Sequence, residues 1–264
     1  MRLPKLTDKQ LIALNLAAEA SGIDSERYLF KQLSDQLKPM IERSVYNRRR
    51  RSLAFKIEEF RQAIAHQVVA VSEHHIIDSM PIEVCKFARA NRSKICRDTV
   101  EQSPNHGYCA AQKTHYFGYK LHAVCAASGV FKAFDITKAS VHDIHFLNDV
   151  KAQFSNCVLI GDRGYLSRRY QQDLFDNNSI ELATPARKNQ LNPKPFSRSF
   201  SKARKRIETL FSQLCDQFMI RRNYAKSFSG FAARMISKIT ALTVIQWINK
   251  LNGNNINNLK ISIS

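Results

Sequence analysis

The chain of 264 residues carries 41 lysine and arginine residues against 22 acidic residues, a formal charge of +19 at neutral pH. This excess is larger than solubility requires, and it predicts a polyanionic partner such as nucleic acid. Apolar residues make up 44% of the chain, which excludes a disordered class, and only 8 glycines and 7 prolines exclude a fibrous one. The length allows one large domain, or a medium domain with a small appendage.

No apolar run approaches the ~18–20 residues that a membrane span needs, and the chain start has no hydrophobic signal core. We therefore expect a cytoplasmic protein. The cysteines contain no Cys-x-x-Cys pair, so we expect reduced, mostly buried thiols rather than a zinc site or disulfides. They are Cys85, Cys96, Cys109, Cys125, Cys157 and Cys215.

The first 70 residues are predicted to be helical. Thr7 and Gln10 have the spacing of a capping box at a helix start, and the Ser-Gly pair at 21–22 ends that helix. A second helix is predicted from residue 24 or 25, with Leu29, Leu33 and Leu37 on one face. Two short helices joined by a glycine turn fit a helix-turn-helix, or any small helical bundle.

Four consecutive arginines follow these helices. Guanidinium groups suit phosphate, so the run predicts a basic arm that contacts nucleic acid; the alternative is a solvated helix end. The arginines are Arg48, Arg49, Arg50 and Arg51. A further helix, from residue 52 to about 70, is predicted from an apolar stripe of Leu53, Ile57, Phe60 and Ile64.

Short β-type runs begin near residue 71. They are predicted at 73–79, 116–126, 130–137, 156–162 and 180–184, with a hairpin turn at 127–129 and helical stretches at 143–150 and 167–177. Two long apolar-striped helices end the fold. This order predicts an α/β fold with a mixed sheet flanked by helices, and a small all-helical N-terminal region. We expect a helical region at 1–70, a catalytic domain at 71–250, and a mobile asparagine-rich tail at 251–264.

Three acidic residues stand apart by their positions. Asp78 lies within or at the end of the first predicted strand, Asp162 follows a strand of the fully buried type, and Glu208 lies near the start of a late helix expected from about residue 201. If the first and fourth strands are neighbours, the two aspartates meet at one sheet end. Converging carboxylates repel one another unless a cation lies between them, and oxygen ligands favour Mg²⁺ or Mn²⁺. Two such ions support in-line attack on a phosphodiester.

Each of these residues also has a simpler interpretation. Asp78 could cap a turn, Asp162 could be the acid of the Gly161–Gly164 turn, and Glu208 could pair with Arg204 one helical turn earlier. A metal interpretation of Asp143 with His142 and His145 is disfavoured, because the sequence places no third ligand beside them.

A family resemblance adds to this interpretation. The segments Ile77-Asp78-Ser79, Gly118-Tyr119-Lys120-Leu121-His122, Gly161-Asp162-Arg163-Gly164-Tyr165 and Arg206-Ile207-Glu208 resemble, in order and spacing, those of DDE-type insertion-sequence transposases. The resemblance covers about residues 73–250. It implies a ribonuclease-H-like domain in which Asp78, Asp162 and Glu208 are the catalytic residues and bind two Mg²⁺ ions. Some members carry a tyrosine and a lysine around the glutamate, where this chain has Ser201 and Cys215, which indicates a different branch.

Other basic residues are candidates for DNA contact. The stretch from 187 to 206 contains no acidic residue and is expected to be a loop that leads into the Glu208 helix. A basic loop beside a metal site can hold the DNA backbone. Its candidates are Arg187, Lys188, Arg198, Arg204, Lys205 and Arg206. Two alternatives stay open for Lys120 and His122. They contact a scissile phosphate or a flanking nucleotide, or they are simply exposed.

The resemblance implies a DNA transposase that binds the ends of a mobile element and transfers a 3′-hydroxyl into target DNA. Because two ends must be joined, we expect at least a dimer. We also expect the protein to associate with the nucleoid. The alternatives are a metal-dependent nuclease on the same fold and an inactive DNA-binding relic.

Overall fold

The computed structural model describes residues 4–187 and 195–259. Its helices are α1 (Asp8–Ala20), α2 (Glu26–Gln32), α3 (Arg43–Ser52), α4 (Ala54–Val68), α5 (Leu147–Gln153), α6 (Arg168–Asn178), α7 (Arg198–Asp216) and α8 (Phe228–Leu251). Its strands are β1 (His74–Cys85), β2 (Asn105–Cys109), β3 (Thr114–Ala126), β4 (Phe131–Lys138), β5 (Cys157–Ile160) and β6 (Ile180–Ala183).

These elements divide into two compact units. The helical unit contains the described segments through Gln67, Arg92–Ser103, and those from Gln213 onward. The sheet unit contains Val68–Asn91 and Pro104–Ser212. The division differs from the ranges predicted from sequence, because α8 groups with the N-terminal helices rather than with the sheet.

The sheet unit is a mixed six-stranded sheet. Strand order is β2-β3-β1-β5-β6, and β4 also pairs with β3. β1, β3 and β4 are antiparallel, whereas β5 pairs in parallel with both β1 and β6 through the helical connections α5 and α6. Residues of α5 and α6 share a buried core with the sheet. The predicted α/β class is confirmed, and the strand order is consistent with a ribonuclease-H-like fold.

The sequence prediction missed strand β2. Its residues, Asn105 to Cys109, alternate between exposed and half-buried positions and pair only with the first residues of β3, from Thr114 to Gly118. Gly107 permits close packing there, because a Cβ at this position would lie 2.7 Å from the Cβ of Ala139. A short, polar strand of this kind depends on its partner rather than on its own propensity.

The helical unit begins as predicted. The capping box between Thr7 and Gln10 forms and starts α1. α2 is shorter than predicted, because the backbone of Leu33 is extended and ends the helix at Gln32. Leu37 lies in the turn that follows, with its amide bonded to the carbonyl of Ser34, and packs on the same core.

The four arginines lie in the second half of helix α3, which agrees with the alternative of a helix end rather than with a separate basic arm. Arg49 donates to the Leu6 carbonyl at 2.7 Å and pairs with Asp8 at 2.7 Å. Arg50 is buried and pairs with Glu26 at 2.7 Å. Two of the four guanidiniums therefore hold the helical unit together, whereas Arg48 and Arg51 are exposed.

Helix α8 is the central helix of the helical unit. By length and composition it could cross a membrane, but 72% of its apolar window is buried, which indicates a core helix. Lys238 is buried and pairs with Glu19 of α1 at 2.5 Å, and Asn15 of α1 donates to Ser237 Oγ at 2.7 Å. After α8, Asn249 donates to the Asn258 carbonyl and Leu259 is buried. The mobility of the tail at 251–264 stays a prediction.

Candidate active site

Two of the three predicted carboxylates lie side by side on the sheet. Asp78 is part of β1, and Asp162 follows β5 by two residues. The strands pair in parallel, with Ile76 opposite Ile160. Continuing this register by two residues places Asp78 opposite Asp162, where β5 ends. The prediction that the first and fourth predicted strands are neighbours is confirmed.

Local backbone geometry orients both aspartates. Asp162 caps the short 3₁₀ helix Arg163–Tyr165, and its Oδ1 accepts a hydrogen bond from the Gly164 amide at 2.8 Å. The turn role considered for Asp162 is therefore real, and it leaves the other lone pairs of the carboxylate available. A Cβ at Gly164 would lie 2.9 Å from Asp162 Oδ1 and 3.6 Å from Asp143 Oδ2, so glycine permits the close approach of two carboxylates.

Asp143 is a third carboxylate at this site, which the sequence interpretation missed. Its Oδ1 accepts a hydrogen bond from Ser79 Oγ at 2.9 Å and pairs with Lys120 Nζ at 2.9 Å. Lys120 also donates to the Val141 carbonyl at 2.9 Å. No spacing rule reveals this contact, because Ser79 and Asp143 are 64 residues apart in the chain.

Burial and charge shift the pKa of Asp78. Burial is the largest cause, and the charges of Asp162 and Asp143 add to it, so that the pKa rises from 3.8 to about 7. The Ser79 amide and Arg204 act in the opposite direction without cancelling the effect. A buried carboxylate with two others near it is costly to ionise, and a divalent cation would favour its charged form.

His122 lies beneath this cluster and is fully buried, so simple exposure is wrong for this residue. Its Nε2 shares a 2.8 Å hydrogen bond with Thr137 Oγ1, and its Nδ1 lies 3.8 Å from Asp143. Burial lowers the pKa of His122 to about 4, although the charge of Asp143 opposes the shift. The imidazole is therefore neutral near pH 7, and its Nδ1 has no hydrogen-bond partner in the described part of the chain. Lys120 is also largely enclosed, with its side chain 14% exposed.

Glu208 is the predicted ligand that the structure leaves apart from the three aspartates. Its helix, α7, begins at Arg198 rather than near residue 201, so Glu208 lies in the third turn, and its side chain is exposed. Within the described residues, no group of three or more histidine, cysteine, aspartate or glutamate side chains is arranged to hold a metal ion. Catalysis and metal binding by Glu208 remain a prediction.

Helix α7 is nonetheless anchored on the sheet near Asp78. The ring of Phe200 lies 5.9 Å from that of His74, and Ile207 is buried. Arg204, one turn before Glu208, is the α7 residue whose charge acts on Asp78. The helix that carries Glu208 thus lies close enough to Asp78 for the charge of Arg204 to act on that carboxylate.

The predicted basic loop is in large part helical, because α7 begins at Arg198. Arg198 and Lys205 are exposed on α7, whereas Arg204 and Arg206 are half-buried. Arg187 is exposed before the helix. Lys188 lies outside the described residues. DNA contact by this stretch stays a prediction.

A mixed sheet with aspartates on adjacent parallel strands defines a ribonuclease-H-like domain. The profile of one protein family, described as the transposase DDE domain, matches residues 70–244, more than half of the chain. The chain therefore belongs to the transposase DDE domain family. No match was found among curated proteins or among solved structures.

Proposed function

We propose that this protein is the DNA transposase of a bacterial-type insertion sequence. It binds the ends of the element, cleaves a strand there, and transfers the resulting 3′-hydroxyl into target DNA. The observation that carries the proposal is the parallel pairing of β1 with β5, which brings Asp78 near Asp162, in a chain that belongs to a transposase family. We propose that the protein acts in the cytoplasm on nucleoid DNA, as at least a dimer, because two ends must be joined.

The aspartates fit a divalent metal. Carboxylate oxygens are the ligands that Mg²⁺ and Mn²⁺ prefer. The raised pKa of Asp78 results mainly from burial, to which the charges of Asp162 and Asp143 add. We propose that Asp78 and Asp162 hold two such ions together with Glu208. When bound, the ions supply charge stabilisation for the attacking and leaving oxygens of a phosphodiester.

The surrounding residues have supporting roles in this proposal. Asp143 fixes Lys120 and the Ser79 hydroxyl beside the pair, so the lysine ammonium faces the position of a bound phosphodiester. Exposed cations on α7, Arg198 and Lys205, hold the DNA backbone beside the site. Arg204 offsets part of the aspartate charge before metal binds.

Conservative substitutions test the catalytic assignment. In Mg²⁺, with DNA carrying the ends of the element, Asp78→Asn and Asp162→Asn each abolish cleavage, and binding in a gel-shift assay stays within about twofold, because the change removes a metal ligand but little volume. Glu208→Gln has the same effect. Asp176→Asn, an exposed position on α6, is the matched control.

Full cleavage by Glu208→Gln would remove that residue from the site while leaving the aspartate pair. A pre-cut end with a free 3′-hydroxyl separates the remaining functions. A transposase inserts it into a plasmid, a nuclease on the same fold cuts without joining, and an inactive relic does neither.

A further inference from the structure

The helical unit contains a polar pocket of about 500 Å³. It is formed by the start of α2, by α3, by Asp98, and by residues from Tyr224 to Arg234 at the start of α8. We call it the arginine pocket. Its cationic lining residues are Arg27, Arg43, Arg50, Arg51, Lys226 and Arg234.

The charge of the arginine pocket is strongly positive. Only two carboxylates line it, and each already has a partner in the protein. Glu26 accepts hydrogen bonds from Asn47 at 2.6 Å and Arg50 at 2.7 Å. Asp98 accepts one from the Phe228 amide at 2.9 Å, at the first turn of α8.

Four cations at the rim lack such partners. Arg27, Arg43, Arg51 and Lys226 are exposed, and none of them forms an ion pair with any residue in the described part of the chain. Because they come from three different segments, they approach one concave surface from several sides. A ligand in the pocket would meet positive charge on each side.

Two buried guanidiniums at the base of the pocket have unused donors. Arg50 and Arg234 are 2% and 3% exposed, and the Nε of each has no hydrogen-bond acceptor in the described structure. For Arg234 the nearest carboxylate oxygen, on Glu19, is 3.9 Å away. A buried N–H without an acceptor is unfavourable. Both residues line the pocket, so an anion that enters it would lie close to their guanidinium groups.

The backbone keeps the base of the pocket open. At Gly230, in the first turn of α8, a Cβ would lie 3.2 Å from Ser227 Oγ and 3.6 Å from Arg51 Cδ. Any larger residue would reduce the space in front of Arg51. The Asp98 carboxylate on the neighbouring amide shows that this helix start accepts an oxygen anion.

We propose that the arginine pocket binds a phosphate of the DNA backbone. The pocket is larger than a lone phosphate ion requires, and Tyr224 at its edge is 64% exposed, so its ring can contact the adjoining sugar or base. The choice of DNA as the source of the phosphate rests on the proposed function. The site is distinct from the aspartates, which lie in the sheet unit.

Binding measurements on the full chain test this proposal. The probe is a fluorescent 30-base-pair duplex of random sequence, in EDTA, so that cleavage plays no part. Arg43→Gln/Arg51→Gln should weaken binding about tenfold. It should also lower the slope of log K against log salt by about 0.9 for each phosphate that the variant no longer neutralises. Lys5→Gln/Lys31→Gln removes the same charge from exposed positions of the helical unit that do not line the pocket, and it should change both quantities much less.

Equal effects of the two double variants, or no effect of either, would overturn the proposal. Circular dichroism verifies folding, and Lys226→Gln, on a separate segment, replaces the double variant if that one unfolds. If 1 mM inorganic phosphate raises the Tm of the wild type but the pocket variant keeps full DNA affinity, the site takes free phosphate and the assignment to DNA is wrong. Because no metal is present, failure of the catalytic proposal would leave this result unaffected.

Discussion

Asp78 illustrates how a single residue acquires its chemistry from its neighbours. In the sequence it is an acid in an apolar run, and its strand position could be predicted because the run is strongly β-type. Its raised pKa could not be predicted, because it is caused by burial and by the charges of Asp162 and Asp143, which lie far along the chain. Sequence spacing connects Asp143 only with its flanking histidines, although its partners are Ser79 and Lys120 on the sheet.

The raised pKa of Asp78 predicts that stability depends on pH. In metal-free protein the folded state keeps this proton up to about pH 7, whereas the unfolded chain releases it near pH 4. At this residue the folded state therefore binds more protons between these values, so the contribution of Asp78 to the free energy of unfolding falls as pH rises through this range. The lowered pKa values of His75 and His122, both about 4, contribute in the opposite direction between about pH 4 and 6.5. We expect a loss on the order of 2 kcal/mol, which is less than the full shift implies because the site is partly open to solvent.

Urea unfolding at pH 5 and pH 8 in EDTA measures this loss. Because His75 and His122 titrate in every variant, the loss is the difference in pH dependence between the wild type and Asp78→Asn, and Asp176→Asn should match the wild type. At pH 8, Mg²⁺ should stabilise the wild type but not Asp78→Asn, because a ligand that binds only the folded state stabilises it. The same pH dependence in Asp78→Asn and wild type would show that another group titrates.

Asp143 is predicted to act by positioning Lys120. Asp143→Asn leaves the lysine ammonium with only the Val141 carbonyl, so we expect about 1–3 kcal/mol of destabilisation. We also expect a 10–100-fold loss of cleavage, as for residues that orient metal-site groups. Urea unfolding of Asp143→Asn, Lys120→Met and the double variant measures the coupling free energy. Strictly additive effects on stability would contradict a direct interaction.

At the scale of elements, the sequence predicts the features that depend on local signals and misses those that depend on distant partners. The capping box, the hairpin turn after β3 and the alternating strand and helix order are local, and all were predictable. The structural role of the arginine run was not predictable, because Arg49 and Arg50 pair with Asp8 and Glu26. Sequence spacing does not connect these residues. Strand β2 and the shorter α2 likewise depend on tertiary contacts rather than on propensity.

The packing of α8 predicts that residues 1–70 do not fold alone. In the full chain Asn15 and Glu19 of α1 are buried against Ser237 and Lys238 of α8. In the fragment a buried carboxylate would lose its ammonium partner, and the apolar face of α1 would lose its cover. Circular dichroism of the fragment should show little helix. A cooperative thermal transition in the fragment would show that the early helices form an independent domain.

The Glu19–Lys238 ion pair predicts how much stability the contact between α1 and α8 contributes. Lys238→Met should destabilise the full chain by about 3–5 kcal/mol, because it leaves Glu19 buried with only the distant Arg234, 3.9 Å away, as a partner. Glu19→Leu/Lys238→Met should recover most of this loss. If the double variant is as unstable as the single one, packing rather than the unpaired charge accounts for the cost.

For the whole molecule, the charge of +19 and the aspartates proposed to be catalytic make separate contributions to function. Charge brings polyanions to the protein but carries no sequence information, because phosphate contacts position a protein on DNA without specifying the bases. The sequence alone indicated this general affinity. It could not indicate which cations are available, since Arg49 and Arg50 are used in the interior while Arg48 and Arg51 remain exposed.

If charge-based affinity and sequence recognition are separate, salt should affect binding to random DNA and to the element ends in the same way. If the chain contacts 6–10 phosphates, affinity for a random duplex should fall by ~10³–10⁵ between 50 and 200 mM salt. DNA that carries the element ends should bind more tightly, with nearly the same slope of log K against log salt, because base contacts release few counterions. The two lines should therefore be parallel and displaced. Fluorescence anisotropy across this salt range, in EDTA with the wild-type chain, measures both lines. A steeper slope for the element ends would mean that specific binding recruits additional phosphates, and hence that charge and sequence recognition are coupled rather than separate.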